Sequence, residues 1–286
     1  LSLLNFMKIL IFGGSGFLGT KLKNIFSDEG HEVLNIDHKK NSEYILDATK
    51  FKQVSDFLKS QKPDIIIDTI ALTNSVECEQ NPKLAKSLNF TTAKNLSLAA
   101  KKINAKLFFI SSSYVFDGKR GNYSEEDLPS PEGVYAKTKS MAEKELLQEK
   151  KNIIFRVDLL YGYNGKNAPN GIFGKILCNK TFYVGNPNQI RSPLFIEDIP
   201  PIIEKLYFLN QEGLFNLSGS DKIKMIDFLL KLENLIRKDS KICLIKNEKL
   251  LVPEKENSSL NSDKIHKLRV KMHNLEESLK IIKKEL

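Results

Sequence analysis

The chain has 286 residues, 41% hydrophobic and 28% charged, which suits a buried core in one large domain or two interwoven ones. No apolar run reaches the roughly 18 residues that a membrane-spanning helix needs. The net charge of +9 rests on 39 Lys and only 5 Arg, scattered along the chain. That spread argues against a nucleic-acid interface, while a diffuse positive field favours a phosphorylated small substrate.

The pattern along the chain alternates strands with helices. The segment before Met7 is short and lacks a basic start, so it reads as an upstream extension of "MKILIFGG" rather than a signal peptide. Near-continuous apolar runs predict strands at 8–14, 32–37, 64–70, 106–112 and 152–160. Helical patterns lie between them, at about 17–29, 50–60, 82–102 and 134–150. This alternation predicts an α/β fold with a doubly wound parallel sheet. After residue 162 the pattern changes. "GYNGKNAPNGIFG" reads as a loop, 208–219 as a loop leading into another strand, and 225–238 and 274–285 as helices. Cys78, Cys178 and Cys243 are odd in number and far apart, with no CxxC and no metal-ligand cluster. They predict a reduced, cytoplasmic setting and no metal.

"ILIFGGSGFLGTKL" places Gly13, Gly16 and Gly19 between the first strand and the first helix, with Phe17 and Leu18 opening that helix. Such a loop brings backbone N–H groups against a pyrophosphate, and the helix dipole adds to the attraction. Asp37 ends the second strand, 18 residues beyond Gly19, where a carboxylate accepts from adenosine ribose hydroxyls. The expected cofactor is therefore a dinucleotide, NADPH or NADH. Asp37 favours NAD by repelling a 2′-phosphate; His38, Lys39 and Lys40 just after it would favour NADP unless they form only a solvated turn.

Tyr135 and Lys139 stand four residues apart at the start of a predicted helix and so share one face. With 39 Lys and 8 Tyr, one Tyr-x-x-x-Lys is expected by chance, so the spacing alone proves nothing. The context adds weight. "FFISSSYVF", 23 residues earlier, is a strand ending in hydroxyls at the carboxyl edge of the sheet, and the glycine loop precedes both. Ketone reduction needs a proton on oxygen as well as a hydride on carbon. Moving a tyrosine pKa from about 10 to ~7 takes roughly 4 kcal/mol. One ammonium ~4 Å away supplies about that much at an effective dielectric near ~20. On this reading Lys139 lowers the Tyr135 pKa and Ser112 positions the substrate carbonyl.

"GGSGFLG", "PDIIIDTIALTNSVECEQNPKLAKSLN", "FFISSSYVFDG", "VYAKTKSMAEK", "FRVDLLYG" and "NQIRSPLFIEDI" resemble the extended short-chain dehydrogenase/reductases, specifically the dTDP-4-dehydrorhamnose reductase family. The resemblance covers most of residues 7–200, and it is looser in "GLFNLSG" and "NSSLNSDKI". It implies a Rossmann domain over 7–162, to which 190–218 returns, and a smaller, interwoven C-terminal substrate-binding portion from 163–189 and 219–286. It implies Ser112, Tyr135 and Lys139 as the catalytic set. It further implies Asp47 and Ala48 at the adenine, Ala71 and Thr73 beside the cofactor near the active site, and Asn89 on the helix behind it. Ser113, Tyr114, Asn170, Phe173 and Arg191 fall to the substrate, with Arg191 meeting the pyrophosphate of a nucleotide sugar; its alternative is a surface pair with Glu197 or Asp198.

The chain departs from the family pattern on the sugar side. Ser113 stands where an Asp is usual, and Leu159 where a Trp is usual. "PEKENSSL" lacks the usual arginine-proline pair. The implied activity is NAD(P)H-dependent reduction of the 4-keto group of a nucleotide-activated 6-deoxy sugar, in a possible homodimer without nucleic-acid or membrane partners. A nucleotide-sugar epimerase, and a non-catalytic NADP-binding regulatory subunit like that of methionine adenosyltransferase, remain open beside it.

Overall fold

The computed structural model describes residues 6–38, 42–165, 182–184, 186–236, 242–244 and 255–286. Seven parallel strands form the central sheet: β1 (Lys8–Phe12), β2 (Glu32–Asp37), β3 (Tyr44–Ile45), β4 (Ile65–Asp68), β5 (Lys106–Ser112), β6 (Ile153–Val157) and β7 (Gly213–Leu217). Their order is β7-β6-β5-β4-β1-β2-β3. The winding therefore reverses between β1 and β4, the point where such a sheet opens a crevice at its carboxyl edge.

Alternation along each strand builds a core on both faces. Ile9 and Ile11 of β1 face one cluster with Leu18, Leu22 and Phe26 of helix α1 (Phe17–Asp28). Leu10 and Phe12 face the other, with Val54 and Leu58 of α2 (Phe51–Gln61) and Leu96 and Ala100 of α3 (Thr92–Ile103). Helix α4 (Gly133–Leu146) follows β5 and buries Ala142 and Leu146 in that second cluster.

Two features differ from the sequence reading. The predicted helix over 82–102 is interrupted: Pro82–Lys86 passes through one π turn, Ser87–Thr91, before α3 begins. Such a turn inserts one extra residue and re-aims the side chains that follow. A helix absent from that reading, α5 (Ile199–Phe208), packs Ile199, Ile202, Ile203 and Leu206 on the first cluster. Its prolines sit in the first turn, where a missing N–H costs nothing.

The C-terminal part contributes α6 (Met225–Ile236) and α7 (Leu275–Glu285), the latter opened by an Asn274–Glu277 capping box. Phe228, Leu232, Leu275 and Ile282 pack with Tyr161 and Phe195. Among the described residues no helix is long and apolar enough to cross a membrane.

Candidate active site

The glycine loop joins β1 to α1. Gly13 has φ +81, and a Cβ there would meet the Thr69 side chain at 2.7 Å. At Gly19 a Cβ would lie 2.6 Å from both the Gly13 oxygen and the Gly14 Cα, so loop and helix touch backbone to backbone. Gly16 is the N-cap of α1, with no side-chain cap and no acidic residue in the first turn, the turn that Phe17 and Leu18 open. The helix end thus keeps its positive dipole for an anion, and these residues fit a dinucleotide pyrophosphate. Replacing Gly19 with Ala forces backbone apart. Overpacking of this kind costs about 1–3 kcal/mol, so NADPH is expected to bind ~10-fold or more weakly to the variant, measured by fluorescence titration.

Asp37 is buried at the end of β2. Its carboxylate accepts from the Ser15 hydroxyl and N–H, and from the His38 N–H at 2.7 Å. Burial alone would raise its pKa; these hydrogen bonds outweigh that and hold it below the ordinary range. The His38 ring pairs with it at 2.8 Å. Lys39 and Lys40 lie outside the described residues. Asp47 is exposed and closes a turn onto Thr49, accepting from its N–H (2.9 Å) and hydroxyl (2.6 Å). It is not the N-cap of α2, which is Lys50. Ala48 is buried, and its carbonyl accepts from Asn95 at 3.0 Å.

Asn89, in the π turn, is fully buried and pins the loop that follows β4. It accepts from the Leu72 N–H (2.8 Å), donates to the Leu72 carbonyl (3.2 Å), and donates to the Thr138 hydroxyl (3.1 Å). Ala71 and Thr73 flank Leu72, so one amide ties that loop to α4 within a turn of Tyr135 and Lys139.

Ser112 ends β5, and Tyr135 and Lys139 rise on α4 beside it. The Ser112 hydroxyl accepts from the Tyr114 N–H at 3.2 Å and lies near enough to the Tyr135 phenol to act on its pKa. Tyr114 meets Tyr135 edge-on, with ring centroids 6.2 Å apart. Lys139 is 2% exposed; its Nζ donates to the Ile110 carbonyl at 2.8 Å and sits 4.5 Å from the Phe109 ring centroid.

The electrostatics differ from the sequence expectation. Burial pushes Tyr135 up to about 12, with Ser112 acting only partly against it. Burial pulls Lys139 down to about 8, opposed by Asp68, which is itself pushed by burial up to about 7. Desolvation of the phenol outweighs any pull from the lysine, whose ammonium is turned toward the Ile110 carbonyl. The result is a tyrosine that holds its proton.

Sequence reading missed the charges behind this group. Glu143, one turn beyond Lys139, accepts from Ser111 (2.5 Å) and from two nitrogens of Arg156 (2.7 and 3.1 Å), locking α4 to β5 and β6. An arginine inside the apolar strand "NIIFRV" was the available signal, because a charge there must be paired. Asp68, 1% exposed at the end of β4, accepts from the Ile70 N–H, while its second oxygen has no hydrogen-bond partner among the described residues.

Asp158 is a larger surprise. Its Oδ1 accepts from Arg191 (2.8 Å), Ser113 (2.7 Å) and Ser258 (3.1 Å), and its Oδ2 from the Ser192 N–H (2.6 Å). Arg191 is therefore buried and paired with Asp158, not with Glu197 or Asp198, which meet Lys21 and His273. Its guanidinium lies 5.3 Å from the Tyr114 ring centroid. Asn170 and Phe173 lie outside the described residues.

The family described as RmlD substrate binding domain matches residues 7–286. Over 232 residues the chain is 30% identical to dTDP-4-dehydrorhamnose reductase of Aggregatibacter actinomycetemcomitans, covering 78% of this chain and 77% of that protein. Over another 232 it is 29% identical to methionine adenosyltransferase 2 subunit beta of Xenopus tropicalis, covering 76% and 68%. Its backbone superposes with a TM-score of 0.87 on dTDP-4-dehydrorhamnose reductase from Bacillus anthracis in complex with NADP, at 25% identity, covering 98% of this chain and 100% of that one.

Proposed function

The chain belongs to the RmlD substrate binding domain family, and on that footing we propose that it is an NAD(P)H-dependent reductase of the 4-keto group of a nucleotide-activated 6-deoxy sugar. The observation that carries this reading is the meeting of Ser112, Tyr135 and Lys139 at the carboxyl edge of the sheet, on the side where the glycine loop opens α1.

The ketone takes one hydride at carbon and one proton at oxygen. When bound, the reduced nicotinamide supplies the hydride. The Gly13–Gly19 loop and the first turn of α1 would hold its pyrophosphate, and Asp37 would accept from its adenosine ribose. Ser112 donates a hydrogen bond to the substrate carbonyl and fixes it against Tyr135. The Tyr135 phenol, still protonated at neutral pH, gives its proton to the developing alkoxide. Lys139 stabilises the phenolate left behind, and Glu143 with Arg156 fixes the helix that carries both residues. The substrate portion is assigned to 163–189 and 219–286.

The test is consumption of NADH or NADPH, followed by loss of nicotinamide absorbance, with a dTDP-activated 4-keto-6-deoxy sugar generated in place. Turnover with either cofactor is the expected result. Tight cofactor binding without turnover on this or any other 4-keto nucleotide sugar would overturn the reading.

A further inference from the structure

Arg191 cannot offer a free charge to an anion, because Asp158 already neutralises it. A second cation lies against the same aromatic ring. Lys255 is 6% exposed; its Nζ donates to the Phe116 carbonyl at 2.6 Å and stands 5.1 Å from the Tyr114 ring centroid. Among the described residues it has no carboxylate partner. Glu132 and Asp117 act on it only at longer range, and Asp117 accepts from the Tyr123 hydroxyl.

This lysine is held in place by design of the backbone. Its stem crosses Gly118, where a Cβ would come within 2.6 Å of the Lys255 Cβ, and Gly118 has φ +74. The N–H groups of Glu256 and Asn257 both donate to the Gly118 carbonyl, at 2.9 and 2.7 Å. One carbonyl satisfies one of three ammonium donors. A buried, unpaired cation costs stability, and here it stands beside Tyr114, which touches Tyr135.

We propose that Lys255 is the cation that receives the diphosphate of the nucleotide-sugar substrate, beside the Tyr114 ring that Arg191 also meets. This rests on the reductase reading and supplies the anion contact that Arg191 does not. A charged hydrogen bond of this kind is worth about 10- to 100-fold in affinity. Calorimetry on the full chain saturated with NADPH, so that the cofactor loop is filled, would compare dTDP and UDP binding to wild type, Lys255→Met and Lys255→Arg.

The expected result is a loss of at least ~10-fold in nucleoside diphosphate affinity for Lys255→Met, a smaller loss for Lys255→Arg, and unchanged NADPH affinity. Equal diphosphate binding by wild type and Lys255→Met overturns the inference and leaves the reductase reading standing. Failure of wild type to bind either nucleoside diphosphate while it binds NADPH overturns both. If Lys255→Met also loses NADPH, Lys255→Arg decides: retained diphosphate binding supports the charge, and a loss as large as in Lys255→Met overturns it.

Discussion

Tyr135→Phe is expected to slow ketone reduction by about 10²- to 10⁴-fold, the range of a positioned general acid, while NAD(P)H affinity stays within roughly threefold because only the phenol oxygen is lost. The pH dependence follows from the two groups. Tyr135 is pushed up to about 12 and is neutral when protonated, so it keeps its proton across the physiological range and sets no limb there. Lys139 is pulled down to about 8 and is charged when protonated, so its ammonium is lost as pH rises through about 8. Wild-type activity should therefore fall on the alkaline side near pH 8, with the limb set by the lysine. Cofactor titrations of Tyr135→Phe should show the same limb. Steady-state rates and cofactor titrations across pH check both statements. A Tyr135→Phe variant with near wild-type kcat would remove Tyr135 from the chemistry.

Asp158→Ala is expected to be the most destabilising single change at the site. It leaves Arg191 buried and unpaired, and it orphans the Ser113 and Ser258 hydroxyls and the Ser192 N–H. Breaking a buried ion pair by removing one partner costs about 3–5 kcal/mol, which in a chain of this size lowers the unfolding midpoint on the order of 10 °C. Adding Arg191→Met to the same chain should recover at least half of that loss, because the uncompensated charge is then gone. Thermal unfolding of wild type, both single variants and the double variant forms the required cycle. If Asp158→Ala unfolds at the wild-type temperature, the four contacts are not holding these segments together.

The pair also explains why one family departure is tolerable. The resemblance implies a carboxylate at position 113; here Ser113 donates to the carboxylate of Asp158, just past the end of the neighbouring strand β6. Acidic character is kept next to Ser112 and Tyr114, but the charge is spent on Arg191. That choice passes the anion contact to Lys255.

The residues legible in the sequence are those whose meaning is local. Gly13, Gly16 and Gly19 between a strand and a helix, Asp37 at the next strand end, Ser112 at a strand end and the Tyr135–Lys139 pair on one helix face all follow from spacing within a single β-α unit. The near-continuous apolar runs between helical patterns similarly pointed to a parallel sheet, since strands covered on both faces have no polar side. Helix α5 escaped notice because Pro200 and Pro201 look like breakers unless the helix start is known.

What only the tertiary structure decided involves partners far apart in the chain. Asp158 meets Arg191 across 33 residues and Ser258 across 100; Lys255 reaches Phe116 across 139. No periodicity links such positions, because each lies on a segment whose place is set by the packing of the whole sheet and not by its neighbours in sequence. The protonation of Tyr135 is of the same kind. Sequence could weigh the attraction of a nearby ammonium, but the desolvation that overrides it exists only once the crevice is built around the phenol.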